Sequence, residues 1–600
     1  MADFLGTPFL WVVATIVLYG IAYWGYGKWI DRRVWRSDAK RTTPAHMYMD
    51  GVEYFPVSRY VLWGYQFKSV AALGPILGPF IGIKFGWLPA LIWIIGGNFF
   101  IGWLQDYGAM MLSVRKEGRS FGPITYEFTG AKGRTNLLAF VLFYLIIISA
   151  AFIALIAVFW SKYPGTFIAT VGIIFAGVLC GQLLYRVKMN VFAVTGIGLA
   201  LVVLSIWIGV YTSAQWPSSF PTVLPLGDWT VPAWALLAVL ILYAAAVLPT
   251  PLFVQPTNYL AFYPAYAAII LLLVGALATP FTNISVTMPP GPILFQADTG
   301  PLWPILFVAI ACGAISGWHS LVSSSSSSKQ LDIETDALPV GGGAMLSEGL
   351  LALVSLIAYM VLAPSFFAQG NYPSWVEGAI VLTSPFLGGR AAAGATLTVF
   401  FGLVLVIYAL TVQALVTRFF RLVSAETWSE GRFRVFGNKH VATVVGLGIP
   451  WAFAVSGSWW ALWLYFGGSN QLLAGLAIML ITIHLAKVRA PTRYSLIPAV
   501  FMIITTLAAL AWQVYFFTKA VVDYLNGSST GIFGNVRAPI NKAPYALVAL
   551  GINAVFVVIG AVLFLVGLSM AIRLFRSYLS SKAEARVKAP AAADGGTRER

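Results

Sequence analysis

Ser69 to Ile83 reads Ser-Val-Ala-Ala-Leu-Gly-Pro-Ile-Leu-Gly-Pro-Phe-Ile-Gly-Ile, an apolar run long enough to enter a bilayer yet punctured at Gly74-Pro75 and Gly78-Pro79. Each proline removes a backbone donor and crowds the preceding turn, so one unbroken helix cannot account for the stretch. In hydrocarbon, the freed amides and carbonyls are costly unless protein or a water-filled cavity satisfies them. The interruption is therefore a candidate binding site, with a proline-kinked packing helix as the plainer alternative. A second apolar run is broken at Leu248-Pro249-Thr250-Pro251, followed by Gln255-Pro256-Thr257-Asn258. Paired broken segments at matching places in two halves are the sequence sign of a transporter site.

The surrounding composition is that of a polytopic membrane protein. Of 600 residues 59% are hydrophobic and 10% charged, against roughly 25% charged in soluble domains. Taking about 20 apolar residues per crossing predicts about fifteen transmembrane helices in an all-α chain. The 37 basic residues exceed the 21 acidic ones, but they sit in short clusters between apolar runs, where they set topology rather than bind nucleic acid. Lys28 to Arg41, Arg115 to Arg119, Arg186 with Lys188, Arg418 to Lys439 and Arg573 to Lys588 all fall on one side if the N-terminus faces outward and the C-terminus the cytoplasm. The first run, Phe4 to Tyr26, lacks a basic flank before it and a small-residue cleavage site, and is expected to stay as a helix.

This topology divides the chain into residues 1–68, a first helix and basic loop, and an inverted-repeat core at 69–417. Additional helices at 418–582 and a mobile tail at 583–600 follow. Within the core, units 69–211 and 234–417 each open with a broken helix, and the two run in opposite directions, as in inverted-repeat secondary transporters. An anionic group of the substrate is expected at the breaks, near Ala72, Gly74, Pro75, Gly78, Pro79, Leu248, Pro249 and Gln255. No lysine or arginine lies inside them, so backbone amides and half-helix N-termini would neutralise it. On this reading Gly74→Leu fills substrate space and leaves the protein folded.

Ionisable groups in spans need a reason. Asp106 lies in the inner half of Trp87 to Leu112, as an ion-pair or capping residue or as a proton carrier. Glu348 sits one turn into Ala344 to Ala363, with Lys329 the nearest basic partner in sequence. Ser316, His319, Ser320 and Ser323 recur at three- and four-residue spacing in the helix predicted over Pro301 to Val322, and so share one face. That face is packing glue between helices or a coupling-ion site: serine hydroxyls suit sodium, whereas His319 suits a proton. Cys180 and Cys312 both fall in spans and support neither a disulfide framework nor a thiolate metal cluster. His46, His440 and His484 are scattered, and no metal or cofactor is expected. No Walker lysine loop, His-Glu-x-x-His or Gly-x-Ser-x-Gly occurs, which disfavours an ATP-driven pump and the common hydrolases.

Several separated stretches, taken in order, resemble the carbon starvation protein A (CstA) family. They are Gly74-Pro75-Ile76-Leu77-Gly78-Pro79, Phe85-Gly86-Trp87-Leu88-Pro89, Gln105-Asp106, Leu248-Pro249, Gln255-Pro256, Ser316-Gly317-Trp318-His319-Ser320, Lys329-Gln330-Leu331 and Phe466-Gly467-Gly468-Ser469-Asn470-Gln471. The resemblance implies proton- or ion-coupled uptake of peptides or pyruvate across the bacterial inner membrane during nutrient starvation, on a LeuT-type core of the amino acid-polyamine-organocation superfamily. Tyr65-Gln66, Ala71-Ala72-Leu73-Gly74 and Thr257-Asn258 depart from the family pattern at the inferred site. The partners implied are a small solute, H+ or Na+ and membrane lipid. A nutrient sensor with little flux, a sodium-coupled transporter of another organic solute, and a membrane enzyme using Glu348 and His319 are the alternatives.

Overall fold

The computed structural model describes residues 7–51, 53–215, 230–249, 253–297, 299–365, 374–428, 433–455, 459–526 and 546–587. Among these the only strand pair is Phe295–Gln296 with Gly300–Pro301; almost everything else is helix. In chain order the helices are α1 (Pro8–Trp35), α2 (Arg59–Val70), α3 (Gly74–Gly82), α4 (Trp87–Arg115), α5 (Phe121–Lys162) and α6 (Pro164–Tyr185). There follow α7 (Val191–Gln215), α8 (Thr230–Val247), α9 (Val254–Leu277), α10 (Leu302–Ala309), α11 (Gly317–Ser325) and α12 (Glu334–Met360). The last are α13 (Ser374–Thr383), α14 (Arg390–Trp428), α15 (Lys439–Val455), α16 (Trp459–Lys487), α17 (Arg493–Leu525) and α18 (Ala546–Val587).

Eleven of these helices are long and apolar enough to cross a membrane, and α2 with α3 would make a twelfth, bent by 47°. Two shorter apolar helices lie at Pro232–Val247 and Lys439–Val455. α18 runs on to Val587, past the boundary expected at residue 583, and residues 588–600 lie outside the described residues. So do 216–229 of the expected outer loop and 250–252 of the second proline run.

The first break falls at Ala71–Leu73, where Ala71 turns extended (ψ 109°). The two prolines are not equivalent. Pro75 occupies the first turn of α3, where no amide is needed, whereas Pro79 is carried inside the helix. The second proline run does separate α8 from α9, but the interruption that packs on the first is elsewhere. It lies at Ile310–Ser316, between α10 and α11, inside the stretch expected to be one helix from Pro301 to Val322. Contacts between the two broken helices run antiparallel: Tyr65 with Ser326, Gln66 with Ser323, Ser69 with Trp318, Gly74 with Cys312 and Gly78 with Ala309.

Polar contacts gather at the two ends of α12. At its start, Arg115 binds Glu334 and the carbonyls of Trp35 and Arg36, His46 meets Asp332, and Lys329 pairs with Glu53. At its end, Thr287 bonds Met360, while Trp87 and Leu88 donate to Pro289 and Pro290. Gly86 makes that approach possible at φ 103°, since a Cβ there would lie 2.4 Å from the Pro290 carbonyl oxygen. Twenty-seven helical residues span about 40 Å at 1.5 Å each, long enough to put these ends on opposite faces of a bilayer. Lys40 and Ser285, both exposed, report on them, and Cys180 and Cys312 are buried and silent to labelling. With the basic end in the cytoplasm, S285C reacts with an impermeant maleimide added to intact cells and K40C reacts only after lysis. The reverse pattern would overturn the orientation.

Candidate functional site

The two breaks free backbone groups that the sequence satisfies with side chains. Trp318 donates its indole N–H to the Ser69 carbonyl at 2.9 Å, Gln471 donates to Ile310 O at 3.3 Å, and Gln105 donates to Ser316 O at 2.5 Å while accepting from Ser316 N at 3.3 Å. Asn470 Oδ1 accepts from the Trp318 amide at 3.0 Å and from the Tyr144 hydroxyl at 3.0 Å. Backbone can unwind at membrane depth because these buried amides and the indole replace the missing helical partners. Gln105, Asn470 and Gln471, carboxamides inside otherwise apolar helices, find their partners only at the second break.

Asp106, His319 and Glu348, expected as separate candidates, converge. His319 is fully buried in the first turn of α11, just past the break, with Nδ1 2.9 Å from Asp106 Oδ2 of α4 and Nε2 3.1 Å from Glu348 Oε2 of α12. The Nε2 contact lacks the alignment of a hydrogen bond, leaving both Glu348 oxygens and Asp106 Oδ1 buried without one. An imidazole held between two carboxylates on three helices titrates as one coupled unit and can pass a proton along its two ring nitrogens. Lys329, expected beside Glu348, instead pairs with Glu53 at 2.6 Å at the surface.

The serine face meets three helices, and one of its contacts pairs Ser316 Oγ with the Asn470 carboxamide of α16. Ser316 and Ser320 bond Gln105 of α4, while Ser323 accepts from Gln66 of α2 at 2.9 Å. Ala72 lies buried in the first break. Gly74 and Gly78 face α10 and the second break with no room to spare. A Cβ on Gly74 would lie 2.4 Å from Cys312 Sγ, and one on Gly78 would lie 2.8 Å from Ala309 O and 2.9 Å from Ile310 Cα. Pro75 and Pro79 lie on the same short helix. Leu248 is engaged at the end of α8, where Arg418 donates to the Leu248 and Ala245 carbonyls and Arg421 to that of Ala246; Pro249 lies just past α8 and Gln255 in the first turn of α9.

The expectation that Gly74→Leu leaves the fold intact therefore changes. Gly78→Leu, which strikes backbone, is expected to lower the melting temperature of purified protein by several degrees or abolish expression. Gly74→Ala strikes only Cys312, and pairing it with Cys312→Gly should recover most of the loss. If G78L melted like the parent, the tight crossing of the broken helices would be wrong.

Sequence reasoning missed a cation. Lys68, counted with the preceding loop, is in the last turn of α2 and fully buried, its Nζ 2.6 Å from Thr411 Oγ1 of α14 and 4.7 Å from the centre of the Tyr408 ring. It lies within electrostatic reach of Glu348. Beside it, Ser69 Oγ and Tyr408 OH are buried without a hydrogen-bond partner.

The family model described as "Carbon starvation protein CstA" matches residues 8–384 and 379–509. The pyruvate/proton symporter BtsT of Escherichia coli is 34% identical over 398 residues, 64% of this chain and 53% of that protein, so the match spans about half of BtsT. The peptide transporters CstA of E. coli and Bacillus subtilis are each 29% identical, over 86% and 84% of this chain and 82% and 90% of their own lengths. Among solved structures, MhsT with L-phenylalanine aligns over 86% of this chain and 99% of its own at 11% identity, with a TM-score of 0.42. With a family match covering most of its length, this helical membrane protein belongs to the carbon starvation protein CstA family.

Proposed function

We propose that the protein is a secondary active importer of peptides or pyruvate in the bacterial inner membrane, driven by protons, with its N-terminus outside and C-terminus inside. The observation that carries the reading is the buried Asp106–His319–Glu348 relay, placed just after the break of one discontinuous helix and beside a second that runs antiparallel to it. The relatives named above as a pyruvate/proton symporter and as peptide transporters agree with it. The two halves of the core are led by α2–α3 and α10–α11, which moves the opening of the second half from residue 234 to Leu302.

Both solute classes carry a carboxylate. The groups offered to it at the first break are the Lys68 ammonium, the Ser69 and Tyr408 hydroxyls and the N-terminus of α3 at Gly74. Ala72, Gly78, Pro75 and Pro79 shape that helix start, and Leu248, Pro249 and Gln255 act at a distance from it, as part of the frame. His319 takes up a proton in company with Asp106 and Glu348, and its charge state changes how α4, α11 and α12 hold together around the breaks. Sodium coupling fits the geometry less well, because the Ser320 and Ser323 hydroxyl oxygens each face a carboxamide N–H, which repels a cation. Labelled pyruvate and dipeptides supplied to proteoliposomes under an inward proton gradient test the reading; counterflow without net accumulation would point to the wrong coupling group.

A further inference from the structure

The relay has a third neighbour that transport by protons does not require. Cys312, in the second break, His319 and Glu348 are all buried, and their ligand atoms lie within 4.8 Å of one another. Neither Glu348 oxygen makes an aligned hydrogen bond, nor does His319 Nε2, which lies 3.1 Å from Glu348 Oε2. His319 Nδ1 is held by Asp106 at 2.9 Å, the carboxylate–histidine arrangement that fixes the tautomer and aims Nε2 at a metal. From the sequence no metal is expected, because the cysteines lie in separate spans and His46, His440 and His484 are scattered, whereas the second break and α12 bring Cys312, His319 and Glu348 together.

We propose that Cys312 Sγ, His319 Nε2 and Glu348 Oε form a three-ligand site for a borderline-soft divalent cation of the zinc class. Thiolate, imidazole and carboxylate together favour Zn2+ or Co2+ over Mg2+ or Ca2+, and water completes the tetrahedron. On binding, the Cys312 S–H bond breaks, a sulfur–metal bond forms, and the thiol proton and any Nε2 proton leave to solvent. Occupancy ties the second break to α12 and holds the transporter in this arrangement. That consequence for flux rests on the coupling role of His319; the binding itself does not.

The test is a titration of the purified full-length protein in detergent with Co2+, followed by thiolate-to-cobalt absorption in the near ultraviolet, with Zn2+ as competitor. One equivalent per chain is expected, with an affinity that rises about tenfold per pH unit for each proton displaced. Cys312→Ser should abolish the band, and Glu348→Gln should weaken binding at least tenfold. Where that variant is not monodisperse, Glu348→Asp replaces it. Cys180→Ser and His46→Gln, remote from the cluster, should titrate like the parent. Absence of saturable binding, a band that survives C312S, or an affinity unaffected at Glu348 each overturns the site. Such a failure leaves proton-driven uptake untouched, and a protein that binds Co2+ as described but accumulates no solute under a proton gradient refutes only the transport reading.

Discussion

Replacing His319 with Gln is expected to abolish accumulation of solute driven by a proton gradient while leaving exchange of labelled for unlabelled solute intact. Glutamine keeps a donor and an acceptor between Asp106 and Glu348, which lie on either side of the ring at 2.9 Å and 3.1 Å, but carries no titrating proton. One proton moved down one pH unit supplies about 1.4 kcal/mol, so a coupled parent concentrates an electroneutrally carried solute about tenfold per unit. The variant should equilibrate at a ratio near one. The sign is fixed by import: acid outside and alkali inside drives accumulation, and the reversed gradient empties the vesicle. Parent-like accumulation by H319Q would move the coupling group away from the relay and make α11 a packing helix.

Lys68→Met should weaken solute affinity on the order of 10- to 100-fold, the loss of one charge-assisted hydrogen bond of about 1.5–3 kcal/mol. Methionine nearly matches the stem that reaches Tyr408 and Thr411, so the melting temperature is expected to change little beside the affinity. Lys68→Arg keeps the charge in a bulkier, planar head and should recover part of it. Isothermal titration or competition against labelled pyruvate separates the cases. Unaltered affinity with a lower melting temperature would make Lys68 a tether between α2 and α14 through its 2.6 Å bond to Thr411, and nothing more.

Much of the architecture was legible because hydrocarbon imposes it. Long apolar runs had to be helices, Gly74-Pro75 had to follow a break, and two of the basic clusters, Lys28 to Arg41 and Arg115 to Arg119, meet at the start of α12. The second break was missed for an identifiable reason. Ile310-Ala-Cys-Gly-Ala-Ile-Ser316 contains no proline, and what unwinds it is a set of side chains hundreds of residues apart, Gln105 on one side and Asn470 and Gln471 on the other. The proline-rich signal lies instead just past α8, whose C-terminal carbonyls Arg418 and Arg421 of α14 cap. Those arginines, like Lys68, look like loop residues by composition, and only the actual helix lengths place them inside.

Asp106, Glu348 and the serine face were each found as polar residues out of place in apolar helices. Their meeting could not be read, since Asp106 and His319 are 213 positions apart and periodicity carries no information across such a distance.

The most direct measurement is uptake of labelled pyruvate or dipeptide by proteoliposomes containing the parent protein, under an imposed proton gradient and, separately, a sodium gradient. Accumulation that follows the proton gradient, collapses with a protonophore and ignores sodium is the predicted result; accumulation that requires sodium, or persists unchanged at zero proton-motive force, would contradict it.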